Sequence, residues 1–205
     1  MLLNSYDLSV VEERFAPQSE SSLQAAVARE SPNRAAVAAI LREGPLAESD
    51  AEILFIRRAE RPRDPWSGHM AFPGGRHDPR DASLLDTAIR ETREEVGLDL
   101  ASHGKLLWRL PVVEASTRRT FDMIVAPFVF SILRGESNLV SNAEVAEAIW
   151  TPLGPLARGE TSSMFEYQQG EAKLQFPSLL LGDRVVWGLT YRILQTLLDV
   201  VHATT

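Results

Sequence analysis

The stretch 74–98, GGRHDPRDASLLDTAIRETREEVGL, constrains the fold most, because acidic residues recur in it at helical spacing behind two glycines. A helix from about residue 84 to 96 is predicted, since its mostly apolar side chains follow the i, i+3, i+4, i+7 spacing of one helical face. Ser83 or Asp81 can cap its start, and Gly97 can adopt the left-handed conformation that ends many helices. The apolar face comprises Leu85, Ala88, Ile89, Thr92 and Val96.

Three acidic side chains on this helix predict a metal site. Glu91, Glu94 and Glu95 are expected on the face opposite the apolar one. Like charges one turn apart destabilise a helix unless water or a cation lies between them. Taken alone, the acids are also typical of a solvated helix surface. The paired glycines and the fixed spacing favour the metal site, and hard divalent ions such as Mg2+ or Mn2+ take oxygen ligands of this kind.

Composition narrows the classes of partner. The chain has no cysteine, which excludes disulfides, thiolate metal sites and a cysteine nucleophile. A formal net charge of -7 argues against binding to a nucleic-acid polymer, which needs a basic surface. No apolar run approaches the roughly 20 residues that cross a bilayer, and the first residues lack the basic and apolar segments of a signal peptide. The sequence therefore predicts a cytoplasmic protein without a membrane partner.

The rest of the chain predicts a mixed sheet covered by helices, in the α/β or α+β class. A hairpin is expected from strands at 35–41 and 51–56, and a short strand at 70–72 should end in a turn at Gly74 and Gly75. A long buried strand is predicted at 121–133 with an interruption at Pro127, and a helix at 189–201. Other strands are predicted at 105–113, 148–151, 173–176, 179–181 and 185–187.

The acidic stretch resembles the box of the Nudix hydrolases. That box runs Gly, five residues, Glu, seven residues, then Arg-Glu-apolar-x-Glu-Glu-x-Gly-apolar. Here Gly75, five residues and Asp81 are followed by eight residues and the segment 90–98, RETREEVGL. Asp81 thus replaces a Glu, the second spacer is one residue longer, and Thr92 replaces an apolar residue. Glu91, Glu94 and Glu95 match the family pattern directly.

These departures resemble the coenzyme A pyrophosphatase-like branch of the family. Its members also carry the Asp and the longer spacer, after a Gly-Gln-Val-x-Phe-Pro-Gly-Gly lead-in that residues 68–75, GHMAFPGG, resemble. Residues 185–194, VVWGLTYRIL, resemble its Ile-Trp-Gly-x-Thr-Ala-Arg-x-Leu segment. His69 replaces the Gln, and Trp66 lies where the branch usually has His. The resemblance implies a Nudix-type mixed sheet sandwiched between helices in a domain at 34–205, with an N-terminal extension at 1–33.

The resemblance also implies an activity. The expected protein is a metal-dependent hydrolase that cleaves a diphosphate linkage in a nucleoside diphosphate derivative, with coenzyme A or a related compound as the first candidate. Nucleoside diphosphate sugars and dinucleoside polyphosphates are alternative substrates, and a non-catalytic Nudix-fold module that binds a nucleotide is an alternative function. The implied cofactor is Mg2+ or Mn2+ held by Glu91, Glu94 and Glu95. A homodimer is left open.

The remaining site residues are assigned by the same pattern. Glu91 and Glu94 are expected to be catalytic, together with Glu144, which resembles the general base that many family members place on a later loop. Arg90 is expected to orient the acids by salt bridges, and Phe165 could stack a base. Other candidates for the base are Glu147, Glu114 and Glu136. The substrate-binding candidates are Gly74, Gly75, Arg58, Trp66, His69 and Arg90.

Overall fold

A computed structural model of the protein describes residues 6–15, 33–46, 49–62, 66–117 and 121–203. Its strands are β1 (Arg34–Arg42), β2 (Glu52–Arg58), β3 (Met70–Ala71), β4 (Gly74–Arg76), β5 (Gly104–Arg109), β6 (Val113–Thr117), β7 (Phe121–Ile132), β8 (Val145–Pro152), β9 (Ser162–Gln169), β10 (Ala172–Leu181) and β11 (Arg184–Trp187). Its helices are α1 (Leu8–Arg14), α2 (Leu84–Val96), α3 (Leu100–His103), α4 (Leu153–Ala157) and α5 (Gly188–His202), with a short 3-10 turn at Arg134–Glu136.

The larger sheet is mixed, which confirms the predicted class. Its strands run in the order β3-β2-β1-β7-β5, while β4 pairs with β1, β6 with β7 and β8 with β2. The central pair, β1 and β7, is parallel along the whole of β1. The predicted hairpin of β1 and β2 is antiparallel, but its pairing is confined to Leu41 with Ile53 and Arg42 with Glu52. The parallel partner β7 therefore places β1 at the centre of the sheet.

Helices cover both faces of this sheet, as expected for a sandwich. Alternate residues of β1 point to opposite sides, so Ala36 and Ala38 contribute to the apolar cluster beneath α2, while Ala35 and Ala39 belong to the cluster that includes α5. Alanine is small, which lets α2 lie close to the central strand. The α2 side chains in the first cluster are Leu84, Ala88 and Val96, all buried.

A smaller sheet, in the order β11-β10-β9, packs onto the α5 side. The predicted strands at 173–176 and 179–181 are one continuous strand, β10, paired with β9 from Ala172 to Leu179 and with β11 from Ser178 to Leu181. Strand β9 was not predicted, because its sequence, SSMFEYQQ, is mostly polar and is exposed along one side. Its pairing with β10 compensates for this weak local signal.

Two predicted breaks in the sheet are wrong. Gly74 and Gly75 do not form a turn: they begin β4, which pairs with β1 through Val37 and Ala36. Pro127 does not interrupt β7, because β6 ends its pairing at Val125 and β5 begins at Phe128. The missing N–H of proline thus falls in the gap between two neighbouring strands, where it costs no hydrogen bond on that side.

The N-terminal segment contains a helix that was not predicted. Helix α1 begins after Asp7, whose carboxylate accepts from the Val10 N–H, and its residue Val11 is fully buried, as is Phe15 just after it. The domain boundary near residue 33 stays a prediction. Within the described part of the chain, no helix has the length and hydrophobicity needed to cross a bilayer.

Candidate active site

Helix α2 has the predicted limits and the predicted caps. Ser83 Oγ accepts a hydrogen bond from the Asp86 N–H at 3.1 Å, which satisfies an amide that the first turn leaves unpaired. Gly97 ends the helix with φ 75°, in the left-handed region that favours glycine. Asp81, the other candidate for the cap, has a different role described below. The acidic side chains are thus held on a helix with two fixed ends.

The expectation that all three acids of α2 lie opposite the apolar face is wrong for Glu95, which is buried. Glu94 is 56% exposed, Glu91 is half-buried, and Glu95 is only 3% exposed. Strand β4 packs on this side of the helix, and the N–H of its first residue, Gly74, donates to Glu95 Oε2 at 2.8 Å. The apolar face is also wider than predicted, since Leu84 and Thr87 are buried with Ala88 and Val96.

Gly74 and Gly75 exclude a side chain for different structural reasons. Gly74 has φ 150° and lies so close to β1 that an added Cβ would be 2.2 Å from the Ala36 carbonyl oxygen. Gly75 faces the helix, where an added Cβ would be 2.5 Å from Cδ of Glu91. Gly74 therefore permits strand pairing, and Gly75 leaves the space that the Glu91 carboxylate occupies.

Arg90 binds the acids of the box together. Its Nε and Nη2 donate to Oδ1 and Oδ2 of Asp81, each at 2.9 Å, in a two-point ion pair. Its Nη1 donates to Glu91 Oε1 at 2.8 Å and to Glu94 Oε2 at 3.1 Å. The Arg90 guanidinium, with the Thr87 hydroxyl, holds the pKa of Asp81 well below its usual range. Asp81 thus anchors Arg90, and Arg90 fixes the positions of Glu91 and Glu94.

Negative charge accumulates around Glu95. The pKa of Glu95 is raised to about 7, mainly by burial; the neighbouring carboxylates Glu91 and Glu144 add to the shift, while the Gly74 N–H and the Arg58 charge oppose it. Burial also raises the pKa of Glu91, with smaller contributions from Glu94 and Glu144. The predicted base Glu144 therefore lies close enough to act on two acids of the helix, although many residues separate it from them in the chain.

Backbone contacts explain how Glu144 reaches this position. The Val140 N–H donates to the Val96 carbonyl at 2.9 Å, and the Asn142 N–H donates to the Glu95 carbonyl at 3.0 Å. These two bonds satisfy carbonyl groups at the C-terminal end of α2 and attach the following loop to it. Glu144 Oε1 then lies 3.1 Å from Nη2 of Arg61. The fold, not the sequence spacing, brings the loop to the helix.

The donor set fits a hard divalent cation by its chemistry. The candidate ligands are carboxylates, and the raised pKa values of Glu91 and Glu95 mark a place where positive charge would be favourable. The donors are not preassembled: Arg90 holds Glu91 and Glu94, and among the described residues no three His, Cys, Asp or Glu side chains form a group that could hold a metal ion as they stand. A cation would have to compete with Arg90 for these oxygens.

The other substrate-binding candidates lie on one side of this site. The Arg58 N–H donates to the His69 carbonyl at 3.1 Å, and the His69 N–H donates to the Trp66 carbonyl at 3.2 Å. Trp66 is exposed, whereas the His69 ring contacts Trp187 with centroids 5.1 Å apart. Arg58 and His69 are thus adjacent through the backbone, and the electrostatic effect of Arg58 extends to Glu95.

Glu147, an alternative base, is engaged elsewhere. Arg184 donates to both of its oxygens, with Nε to Oε2 at 2.7 Å, and lowers the pKa of Glu147. Sequence reasoning gave no individual role to Arg184 or to three aromatic residues, Trp187, Tyr167 and Phe176. The Trp187 ring contacts the rings of His69, Tyr167 and Phe176. The alternation of Phe165 and Tyr167 was a usable signal, since residues two apart in a strand share a face.

The fold and the acidic helix together define the Nudix class. A comparison with protein-family models matches the NUDIX domain to residues 32–167, which is more than half of the chain, and the chain belongs to that family. The crystal structure of a NUDIX hydrolase from Alicyclobacillus acidocaldarius matches with a TM-score of 0.50 and 22% identity, over 84% of this chain and 93% of that one. A Caenorhabditis elegans Ap4A hydrolase matches with a TM-score of 0.50 and 20% identity, over 62% of this chain and 84% of that one. These structures support the fold.

Sequence relatives point to one part of the family. The mitochondrial coenzyme A diphosphatase NUDT8 of Homo sapiens is 32% identical over 143 residues, covering 67% of this chain and 58% of that protein. NUDT8 of Mus musculus is 31% identical over 163 residues, covering 77% and 74%. An uncharacterized protein of Schizosaccharomyces pombe is 33% identical over 158 residues, covering 74% and 48%. The chain thus spans about half the length of the yeast and human relatives.

Proposed function

We propose that this protein is a metal-dependent hydrolase that cleaves a diphosphate linkage in a nucleoside diphosphate derivative. The observation that carries the proposal is the placement of Glu91 between Gly75 and Arg90. Glu144 is near enough to this position to raise the pKa of both Glu91 and Glu95. Four carboxylates around one helix are unfavourable without a compensating cation. A bound divalent cation would relieve this repulsion, and it would also attract the anionic substrate.

Glu91, Glu94 and Glu95 are the proposed ligands of Mg2+ or Mn2+. When bound, such an ion lowers the pKa of an attacking water and neutralises charge on the diphosphate. The protein contributes the geometry: Arg90 orients Glu91 and Glu94, and the Gly74 N–H orients Glu95. Asp81 acts through Arg90 and is a positioning residue.

Glu144 is the proposed general base. Its carboxylate is partly exposed, so it can exchange a proton with solvent after accepting one from the attacking water. Arg61 Nη2 lies 3.1 Å from one of its oxygens. Arg58 is proposed to bind the diphosphate, since its charge already acts on the carboxylate of Glu95. Gly74 and Gly75 support the site indirectly, because Gly74 allows β4 to pair with β1 and Gly75 leaves room for the Glu91 carboxylate; their contact with substrate stays a prediction.

Coenzyme A is the favoured substrate, because the human and mouse relatives are named coenzyme A diphosphatases. The lead-in at 68–75 and the segment at 185–194 add to this inference from the sequence. Nucleoside diphosphate sugars and dinucleoside polyphosphates are the alternatives. The cytoplasmic location and the homodimer stay predictions.

A substrate panel tests the proposal. The protein is incubated with coenzyme A, a nucleoside diphosphate sugar and a dinucleoside polyphosphate, with Mg2+, Mn2+ or EDTA, and the products are identified by mass spectrometry. We expect metal-dependent cleavage of the diphosphate in coenzyme A. Cleavage of another member with coenzyme A inert would overturn the substrate but keep the reaction. Binding of nucleotides without cleavage of any member would favour the non-catalytic module.

A further inference from the structure

The small sheet has one aromatic face that its packing does not explain. Leu179 and Val186 point to the opposite face and are buried in the cluster that includes Ile193 and Leu197 of α5. The residues that alternate with Leu179 and Val186 along the strands point away from α5. The strand register places Phe165 opposite Phe176 and Ser178 opposite Trp187 on that outer face. We call this surface the aromatic face; it consists of Phe165, Tyr167, Phe176 and Trp187.

The four rings meet around Trp187. Its ring centroid lies 4.5 Å from that of Phe165, 5.3 Å from Tyr167 and 5.5 Å from Phe176. The rings are not buried as a core would be: Tyr167 is 36% exposed, and the other three are half-buried. A partly exposed group of rings offers both flat surfaces and edges to a planar ligand.

The aromatic face contacts, through His69, the segment of chain that leads to the candidate active site. The His69 ring contacts Trp187, and the Arg58 N–H is bonded to the His69 carbonyl. Gly74, whose N–H donates to Glu95, comes five positions after His69 in the chain, so the Cα atoms of His69 and Gly74 lie within about 18 Å of each other. A ligand that places a diphosphate beside α2 and extends along this segment would reach the rings.

A buried polar group accompanies the rings. Ser178, opposite Trp187 on β10, is 2% exposed, and its hydroxyl has no hydrogen-bond partner within the described residues. Burying an unpaired hydroxyl costs free energy. A bound polar heterocycle would give this region a partner that the protein does not supply.

We propose that the aromatic face binds the nucleobase of the substrate, with Tyr167 and Trp187 stacking on the heterocycle. The inference rests on the proposed function for the position of the diphosphate, but the base-binding site itself is separate from the acids of α2. Stacking is the expected mode because every nucleobase has a flat π surface that matches the exposed rings. Phe165 and Phe176 then support the stacking rings from the side.

The test compares adenosine monophosphate with ribose 5-phosphate, since the two ligands share a phosphorylated ribose and only the first has a base. Binding to the full chain is measured by calorimetry for the wild type, Tyr167→Leu, Tyr167→Ala and Met164→Ala. Tyr167→Leu retains an apolar side chain and removes the π surface. Met164 is a matched control, because it is 61% exposed on the same strand and points to the opposite face.

We expect Tyr167→Leu and Tyr167→Ala to weaken binding of adenosine monophosphate about five- to a hundredfold, the range found for loss of one base stack. Binding of ribose 5-phosphate should not change, and Met164→Ala should bind both ligands as the wild type does. Unchanged binding of adenosine monophosphate in both Tyr167 variants would overturn the proposal. An equal loss for both ligands would also overturn it, because the effect would then not depend on the base.

Hydrolysis separates this inference from the proposed function. If both the base-binding site and the proposed hydrolase activity are correct, Tyr167→Leu raises KM for a nucleoside diphosphate substrate and leaves kcat close to the wild-type value. A wild type that hydrolyses the substrate, with KM unchanged in Tyr167→Leu, would overturn the base site alone. A wild type that binds adenosine monophosphate in the predicted way but hydrolyses no diphosphate would overturn the proposed function alone.

Discussion

At the residue scale, a single arginine organises the acids of the box. Arg90 makes two bonds to Asp81 and one each to Glu91 and Glu94, and its Nη2 also donates to the Arg76 carbonyl at 3.3 Å. A guanidinium can do this because its five N–H donors are fixed in one plane, whereas a lysine ammonium is a point charge on a flexible chain. Asp81, although shorter than the Glu of the family pattern, reaches Arg90 with both oxygens.

The first prediction concerns Glu94. Glu94→Gln should reduce kcat by a factor on the order of 10^3, because it removes a charged ligand worth several kcal/mol in the transition state. The free energy of unfolding should change by less than about 0.5 kcal/mol, since the side chain is mostly exposed. Steady-state kinetics on the substrate found in the panel, with chemical denaturation alongside, measures both effects.

Glu13→Gln is the control for this variant, because Glu13 is an exposed acid on α1, away from α2. It should hydrolyse the substrate at the wild-type rate. Near-normal metal-dependent turnover by Glu94→Gln would rule out Glu94 as a catalytic ligand.

The second prediction concerns the contact between Gly75 and Glu91. Gly75→Ala would place a Cβ 2.5 Å from Cδ of Glu91, so the carboxylate must move by about an ångström to reach ordinary contact. A shift of this size in a catalytic group should lower kcat about a hundredfold. Gly135→Ala is the control, because nothing lies within 4 Å of the added Cβ there. Equal activity of the two variants would show that the position of Glu91 is not critical.

At the scale of elements, an ion pair joins the two sheets. Glu147 lies on β8 in the large sheet, and Arg184 lies on β11 in the small sheet. The two side chains, each less than a third exposed, make two hydrogen bonds to each other. The Arg184 charge lowers the pKa of Glu147 in the folded protein. This pair fixes the small sheet, and with it the aromatic face, relative to β2 and β8.

The third prediction is a pH dependence of stability. The pKa of Glu147 is lower in the folded state than its ordinary value of 4.5, so below that value the unfolded state binds more protons. The stabilisation is therefore complete above about pH 5.5 and is lost as the pH falls through the folded pKa. Glu147→Gln should cost about 1 kcal/mol at pH 7. The difference from the wild type should shrink steadily below pH 4.5, as measured by urea denaturation at several pH values.

Glu166→Gln is the control in the same sheet, because Glu166 pairs with Lys173 at an exposed position. Its effect should be close to zero at every pH. A Glu147→Gln difference that stayed constant from pH 7 to pH 3 would show that the ion pair contributes nothing.

At the scale of the whole molecule, the candidate site combines parts that lie far apart in the chain. Strand β4 contributes Gly74 and Gly75, helix α2 contributes Glu91, Glu94 and Glu95, and the loop before β8 contributes Glu144. The resulting acids repel one another, so a divalent cation should bind the folded protein and not the unfolded chain.

The fourth prediction follows from this coupling. Mg2+ at 100 times its dissociation constant should stabilise the fold by about 2.7 kcal/mol, which corresponds to a rise in Tm of about 5 to 10 °C. EDTA should reverse the shift, and Glu91→Gln should abolish most of it, as measured by calorimetry. NaCl at the same ionic strength as the Mg2+ salt is the control for non-specific salt effects. A full Mg2+ shift retained in Glu91→Gln would remove Glu91 from the set of ligands.

Local signals in the sequence were enough to determine the main elements and the acidic helix. The 3.6-residue period, Ser83 and Gly97 gave the limits of α2, and the box spacing gave the family. These features could be predicted because capping and helical periodicity depend on neighbours in the chain. The continuity of β7 through Pro127 was missed because it depends on pairing with strands distant in the chain. Strand β9 was missed because its own sequence is mostly polar, although its partner β10 is the next strand in the chain.

Only the tertiary structure decided which residues surround the site. Glu95 is buried on the side of α2 where β4 packs, and the proximity of Glu144 follows from bonds at the end of that helix. The grouping of four rings around Trp187 depends on the register of three strands. A one-dimensional pattern gives the face of an element on which a residue lies, but burial and proximity depend on what packs against that face. The sequence therefore determined the type of site, and packing determined its charge and its neighbours.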